Sequence, residues 1–308
     1  MTLQRRSAAS PAAAMGLLIL LVALAPLLLA APLRAETASL QLGFADTLFA
    51  EGDYYRAVSE YKRYLYLQPD SPHAAQAHLN LARASLLAGR SAEGRQALDA
   101  LIASHPASPQ AAAAQLLLAE IPFRQQQYQQ SHQLLQQPLT DSASTFLRQH
   151  QQRLSLWNLL HGEQYPQALA LWHSDPAIFG LEEADLQALQ QRPRKSPALA
   201  GSLSAVLPGA GQLYNGRYRE AGLALALNAA FLLGGLQAID TGNSILGGIL
   251  LFFEAGWYGG NIYNAMNSAH KFNRDQHQTA LDALKQRSGF SLLTDDKQVR
   301  LQFDAHFD

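Results

Sequence analysis

The 308-residue chain contains no cysteine. That excludes disulfides, thiolate zinc sites and a lipid-modified N-terminal cysteine. Neither sign of charge dominates, with 23 Lys and Arg against 24 Asp and Glu. No basic face accumulates, so nucleic acid is not expected as a partner. Catalytic signatures are missing too. The ten histidines lack metal spacing, no H-E-x-x-H occurs, and no G-x-S-x-G elbow or framed carboxylate pair appears. His73 and His78 stand five apart at a repeat start and read as surface residues. An enzyme is not expected, and no cofactor or metal is implied.

What the chain does have is a 37-residue period between about 40 and 176. A small position recurs at Ala45, Ala82 and Ala119, and a second at Ala57, Gly94, Ser131 and Ala168. Apolar positions keep the same step at Phe49, Leu86, Phe123 and Leu160, then at Tyr61, Leu98, Leu135 and Trp172. Such a period marks stacked supersecondary units that bury their faces against one another. Small residues 12 apart, such as Ala45 and Ala57, let two antiparallel helices approach closely. Two turns read alike, Pro69-Asp70-Ser71-Pro72 and Pro106-Ala107-Ser108-Pro109. Proline stops one helix, serine can cap the next, and the second proline suits its first turn. Pro122 is expected to shorten or kink a helix. The glutamine-rich stretch from Gln125 to Gln137 reads as a solvated helix face.

These units resemble tetratricopeptide repeats. The run Gly52-Asp53-Tyr54-Tyr55-Arg56-Ala57 through Tyr61, Tyr64 and Pro69 carries the likeness, and Gly89, Gly94, Leu98, Leu101 and Pro106 repeat it. The common form has 34 residues, so three extra per unit should lengthen a turn or helix end. In spacing and turns, residues 40 to 110 look like the repeats of periplasmic cell-division coordinators and outer-membrane assembly lipoproteins of Gram-negative bacteria. The resemblance implies binding to envelope proteins or peptides. Positions such as Gln41, His78 and Gln115 are candidates for the repeat groove.

The N-terminus carries Arg5 and Arg6, an apolar run from Met15 to Ala31, and Leu33-Arg34-Ala35-Glu36. That is a secretory signal pattern, with cleavage expected after Ala35; an uncleaved anchor is the alternative. Removing it takes the formal charge from −1 to −4.

After a polar connector (179–195) with Arg192, Arg194 and Lys195, the composition becomes membrane-like. Residues 221–239 are apolar apart from Asn228 and Gln237, and 244–263 apart from Glu254 and Asn261. Each is long enough, at ~1.5 Å per residue, to cross a hydrocarbon core near ~30 Å. Asp240-Thr241-Gly242-Asn243 is a tight polar turn, so an antiparallel hairpin is expected. Asn228 and Glu254 lie equally far from Thr241, and a hydrogen bond between them across the hairpin is expected. Gly234 with Gly248, and Gly256 with Gly260, are expected to allow close helix contact. An ionisable group at this depth faces a partner or cavity, which leaves a packing device and an ion, proton or lipid-headgroup site open.

Ahead of the hairpin, Pro208, Gly209, Gly211, Gln212, Tyr214, Gly216 and Arg217 form a P-G-x-G-Q-x-Y-x-G pattern. It resembles the signature of a widespread class of small bacterial two-helix membrane domains, over roughly 196–270. A helix broken at Pro208-Gly209 is expected. Basic residues flank both hairpin ends, which conflicts with an exported repeat domain. A third crossing by 197–215 with a cytoplasmic tail is the expectation; a re-entrant segment would leave the tail with the repeats.

The tail continues as helix over 265–287 and stops near Gly289. Strict alternation from Val299 to Phe307 reads as one strand, paired with Phe290 to Leu293 and docked on the membrane module or a partner. The expected whole is all-α: a signal (1–35), a repeat solenoid (36–178), a connector (179–195), a membrane module (196–270), and a helical extension with a short β-hairpin tail (271–308). Its expected role is a membrane-anchored scaffold at the bacterial inner membrane, with periplasmic repeats binding envelope partners. Alternatively the module itself acts in membrane-protein insertion or ion or lipid handling. Membrane lipid and self-association are the other contacts implied.

Overall fold

The computed structural model describes residues 40–293, and among these every regular element is a helix. They divide into two compact units, 40–158 with 291–293, and 159–290.

The first unit is a stack of antiparallel helix pairs. Residues 40–51 form α1, followed by α2 (Tyr54–Leu67), α3 (Ala74–Leu87), α4 (Ser91–Ser104), α5 (Pro109–Arg124), α6 (Tyr128–Leu135) and α7 (Thr145–His161), which runs across the division between the units. The second helix of each pair begins at Tyr54, Ser91 and Tyr128, and α8 (Tyr165–Ser174) continues the phase in the second unit. The 37-residue step is therefore kept at every corner.

The corner itself explains the phase. Residues 52, 89, 126 and 163 all adopt positive φ, between 56° and 84°. The next residue's N–H then reaches back to the carbonyl five positions earlier: Asp53 to Leu48, Arg90 to Ser85, Gln127 to Pro122 and Gln164 to Leu159, all at 2.8–2.9 Å. This satisfies helix-end carbonyls by the glycine-cap geometry. Glycine fills the site in the first two units. Gln126 and Glu163 fill it in the last two, although Gly162 stands one position earlier.

Packing follows the small positions. Ala45, Ala82 and Ala119 are fully buried, as are Ala57 and Ala168. A Cβ on Gly94 would sit 2.8 Å from Leu86, so the pair there is at its closest approach. Ser131 turns its buried hydroxyl to the Ala119 carbonyl at 2.8 Å, across the corner. Phe49 meets Tyr54 edge-on at 5.5 Å, and Phe123 meets Tyr128 at the same distance two units later.

The two serine–proline turns differ. Ser108 caps α5, accepting from Ala111 N at 3.1 Å with Pro109 at the first helical position. Ser71 does not cap α3; its hydroxyl pairs with Tyr64 Oη at 2.6 Å. Pro122 neither breaks nor shortens α5: its missing N–H removes the donor to the Leu118 carbonyl, but only Phe123 and Arg124 follow it before the helix ends. The shortening appears instead in α6, with eight residues against 14 in α2 and α4.

Within the second unit, α9 (Glu183–Gln190) packs on α8. Then come α10 (Pro197–Val206), α11 (Ala210–Tyr214), α12 (Tyr218–Asp240) and α13 (Ser244–Ser288), a continuous helix of 45 residues ended by Gly289 at φ 60°. The stretch after α8 is structured: Trp172 Nε1 donates to Leu181 O at 3.0 Å, and Arg192 is buried, bonded to Glu163 at 3.0 Å and to Leu189 O.

The helix breaks at Leu207-Pro208-Gly209, with Gly209 at φ 91° and a Cβ there only 2.3 Å from Ala221 O. Each half is shorter than a hydrocarbon core is thick, the ten residues of α10 spanning about 15 Å. Tyr214 Oη accepts from Ser196 N at 3.0 Å, so α10 and α11 return to the level at which they began.

α12 and α13 meet closely, but not where the sequence spacing placed the contact. A Cβ on Gly247 would lie 2.7 Å from Gly235 O, whereas Gly234 has only one distant neighbour and Gly248, Gly256 and Gly260 have none. The close pair is thus one position nearer the turn on each strand of the hairpin. Among the described residues, α12 is the one helix long and apolar enough to cross a membrane, by length and composition. The expected second span, 244–263, falls short because Glu254, Asn261 and its glycines dilute the apolar run.

The terminal β-hairpin is not supported. Phe290 to Leu293 forms no strand, and the segment 299–307 lies outside the described residues. Leu292 and Leu293 are buried in the first unit, and the Leu293 N–H goes to the Glu120 carboxylate at 2.7 Å. A side chain, not a neighbouring strand, satisfies that donor. Leu292 and Leu293 thus pack with the repeat unit, while the expected docking of 299–307 lies outside the described residues.

Candidate functional site

Two regions carry chemistry beyond packing. The first is a polar ladder across the leading helices of the repeats. Asp46 on α1 accepts from Tyr61 Oη at 2.5 Å and from Asn80 Nδ2 at 3.2 Å. Asn80 Oδ1 takes Gln76 Nε2 at 3.1 Å, and Gln76 Oε1 takes Gln110 Nε2 at 3.3 Å. Side chains of α1, α3 and α5 are thereby linked in series. Burial, then the adjoining Asp46 carboxylate, pushes the Tyr61 phenol far above its ordinary range, so it remains a donor.

Gln41, His78 and Gln115 sit on the same three helices, each half-buried, and no hydrogen bond joins them. Gln115 Oε1 and His78 Nδ1 are buried without a hydrogen-bond partner among the described residues. The His78 ring lies 6.4 Å from that of His105. Burial first, then His105, holds His78 below the usual imidazole range. Choosing candidates at the 37-residue step missed the ladder because its rungs are 34 apart. Adjacent helices are offset by one turn, so a residue contacts its neighbour's equivalent position minus three. Long polar side chains at Asp46 and Asn80, and again at Gln76 and Gln110, were the available signal.

The second region is the polar interior of α10 to α13. Gln212 is fully buried. Its Oε1 accepts from Ser204 Oγ at 3.0 Å, and its Nε2 donates to Asn261 O at 3.0 Å and to Asn261 Oδ1. Ser204 Oγ also accepts from Gly211 N at 3.0 Å. Asn215 Nδ2 bonds Ala265 O at 2.8 Å, and Arg217 reaches Ser268 at 2.5 Å and Glu220. A Cβ on Gly211 would lie 2.0 Å from Ala200 O, so only glycine lets α11 approach α10. The motif positions Gly209, Gly211, Gln212, Tyr214 and Arg217 each form part of this corner. Gly216, at φ 79°, repeats the glycine cap: Arg217 N bonds Gln212 O at 2.9 Å. Pro208 precedes the break.

Asn228 and Glu254 both face inward, 3 % and 7 % exposed. They are not joined: Asn228 Nδ2 turns back to Ala224 O at 2.7 Å on its own helix. Asn228 Oδ1 and Glu254 Oε2 are left buried without hydrogen-bond partners among the described residues. Beside them, an open groove of about 870 Å³ runs between α12 and α13, walled by Leu223, Leu227, Phe252, Phe253 and Trp257 with Gln212 and Asn261 among its polar lining. Among the described residues, no group of three His, Asp or Glu is placed to hold a metal ion.

Compared with known proteins, the full chain finds no match among curated sequences. The family model of the tetratricopeptide repeat matches residues 42–109 and 88–138. That interval holds α1 to α6 with the glycine-capped corners and small–small contacts described above. Residues 42–138 therefore carry tetratricopeptide repeats, units of a kind that serves protein–protein interaction.

Proposed function

We propose that the protein is a membrane-anchored scaffold of the bacterial envelope. Its repeats bind protein or peptide partners, and the helices from 197 to about 268 hold it in the inner membrane. The observation that carries the reading is the pairing of an interaction-type repeat stack with α12. The apolar 18-residue stretch of α12 is only 11 % buried. Continuous exposed apolar surface of this kind needs lipid or a partner to cover it. The exposed faces of Ile245, Phe252 and Tyr263 on α13 support a second crossing in the same hairpin. The likeness to the two-helix membrane domain enters here as part of the proposal, as does groove contact with lipid chains.

One contact supports an even number of crossings in this reading: Leu293 is bonded to Glu120 in the same unit, on either side of the chain between 158 and 291. Two crossings, α12 and the first part of α13, with α10 and α11 re-entrant, fit that count. With an export signal at the N-terminus, the repeats and tail share the periplasmic side. Reporter fusions after Asp308 and at Gly242 test this: periplasmic activity is expected at the first and cytoplasmic at the second.

The scaffold reading is tested by in-cell photo-crosslinking from Gln41, His78 and Gln115 with mass spectrometry. A reproducible envelope partner is the expected result. Adducts only between copies of the chain would make self-association its role. The unpartnered Glu254 and Asn228 oxygens favour a second reading, in which the module handles an ion, a proton or a lipid headgroup. Loss of function in a stable, correctly inserted Glu254→Gln protein would support it.

A further inference from the structure

We infer that the groove between α12 and α13 holds one phospholipid, its acyl chain lying along the hairpin and its ester carbonyl accepting a hydrogen bond from Asn261 Nδ2. Binding here presupposes the membrane placement proposed above and gives it a specific ligand and site. The groove, about 870 Å³, has two unlike ends. Toward the Thr241 turn its walls are apolar, with Leu223 and Leu227 on α12 and Phe252, Phe253 and Trp257 on α13. At the other end it is lined by Glu220, Asn261 and Asn264 with Gln212 of α11. Glu220 is bonded to Arg217, so the charge at this mouth is paired. Between the ends α13 presents Gly256 and Gly260, and a Cβ on either would meet nothing within 4 Å. The floor there is bare backbone with open space above it.

The length of the groove fits one leaflet. Asn261 stands 20 residues from Thr241, about 30 Å along α13, the full thickness of a hydrocarbon core. Phe252, 11 residues from Thr241, lies near the middle of that span. The groove thus runs from the boundary where phospholipid ester carbonyls sit to the midplane where an acyl chain ends. A partner's membrane helix would continue past Phe252 to the turn, where the groove has already stopped. At the boundary a donor is waiting. Asn261 is 8 % exposed, and its Oδ1 is taken by Gln212 Nε2, itself held through Ser204. Nδ2 is the donor left over, buried without a hydrogen-bond partner among the described residues. An ester carbonyl supplies the acceptor that bare hydrocarbon cannot.

The test titrates the full-length protein in detergent micelles with a diacyl phosphatidylethanolamine and reads retained lipid by native mass spectrometry. One lipid per chain is expected to outlast the micelle. Gly256→Leu and Gly260→Leu each place a side chain in the open groove and should abolish retention. Gly248→Leu, equally free of neighbours but outside the groove, should leave it unchanged. The dialkyl ether analogue, which lacks the ester carbonyl, should bind about five- to tenfold more weakly, as expected for one hydrogen bond lost from a buried donor. Retention unmoved by both groove-filling variants, or lost equally in Gly248→Leu, would overturn the inference. So would equal binding of ester and ether lipids, or a second chain retained in place of lipid. Release of the chain from membranes by alkaline carbonate is a separate result, which would sink the membrane placement itself. A chain that resists extraction yet retains no lipid overturns the site alone.

Discussion

The repeat stack and the α10–α13 module turn corners in the same way and bury opposite things. In both, a residue of positive φ is followed by a back-bond to the carbonyl five earlier: Gly52 and Gly89 in the repeats, Gly216 and Gly242 in the module. Yet the repeats bury Tyr61, Leu79, Leu98 and Leu117. They expose Gln125, Gln129 and Gln133. The module buries Gln212, Ser204 and Asn228, and exposes Ile245 at 81 % and Phe252 at 77 %. Corner geometry is a backbone property and holds in either solvent. Which face turns outward differs between the two regions, and the apolar outer face of the module is what its proposed place in the membrane requires.

The sharpest way to break that comparison is at the closest approach in the module. Gly211→Val should prevent α11 from seating, because a Cβ would meet Ala200 O at 2.0 Å and Ser204 Oγ at 2.5 Å. The cost should exceed about 3 kcal/mol, seen as lost protease resistance of the module in detergent. Gly247→Ala should cost less but clearly, with Ile239 Cγ1 at 2.4 Å, whereas Gly248→Ala, with nothing within 4 Å, should be silent. Equal effects at 247 and 248 would mean the helices cross in a different register.

Next in size is the polar interior. Gln212→Leu removes the link between Ser204 and Asn261 and leaves those groups unsatisfied away from water, so a loss of about 2–4 kcal/mol in thermal unfolding is expected. The repeat counterpart is Tyr61→Phe, which deletes one bond to Asp46 and should cost about 1–2 kcal/mol. If the two losses proved equal, the proposal that the module lies in the drier medium would fail.

A third test concerns pH, and it falls on the part of the second unit outside α12. Burial holds His161 at about 4, with His277 and Lys285 adding to the effect and Asp282 opposing it. His277 is lowered too, by burial first and then Arg192, with Glu163 opposing and Arg194 adding. A histidine whose folded pKa is depressed stabilises the protein when neutral. That stability is fully present above about 6.5 and is lost as pH falls toward 4. After discount for partial exposure, the loss from pH 7 to pH 4.5 should be roughly 1–2 kcal/mol. His161→Gln should flatten this part of the melting profile, and an unchanged slope would remove His161 as its source.

What was legible in the sequence divides along the same line. The helical repeats, their phase and their small positions could be read because each unit states the rule again, so that Ala45, Ala82 and Ala119 corroborate one another. The polar ladder could not, since its rungs follow the offset between helices, a property of the assembled stack. In the module, Pro208-Gly209 was readable as a break, whereas the close approach at Gly211 was not. The Gly235–Gly247 contact was displaced by one position because equal counting from Thr241 ignores how each helix is rotated about its axis. Asn228 was expected to reach across to Glu254, but a carbonyl one turn back on its own helix was nearer.

The smallest effect asks whether the corner rule is as general as the comparison makes it. Gln126 occupies in the third repeat the conformation that Gly52 and Gly89 occupy in the first two, at φ 60°. A side chain in that region carries a penalty of about 1 kcal/mol that glycine does not. Glycine also loses more freedom on folding, which offsets part of the gain. Gln126 is exposed and its side chain is not needed for packing. Gln126→Gly should therefore stabilise the repeats by a few tenths to about 1 kcal/mol, a rise of one to a few degrees in Tm. Gly89→Gln should cost a similar amount, because the same backbone bond from Arg90 N to Ser85 O must still be made. Opposite signs for the two exchanges would tie the 37-residue phase to the corner itself, whereas destabilisation by both would tie it to the helix faces alone.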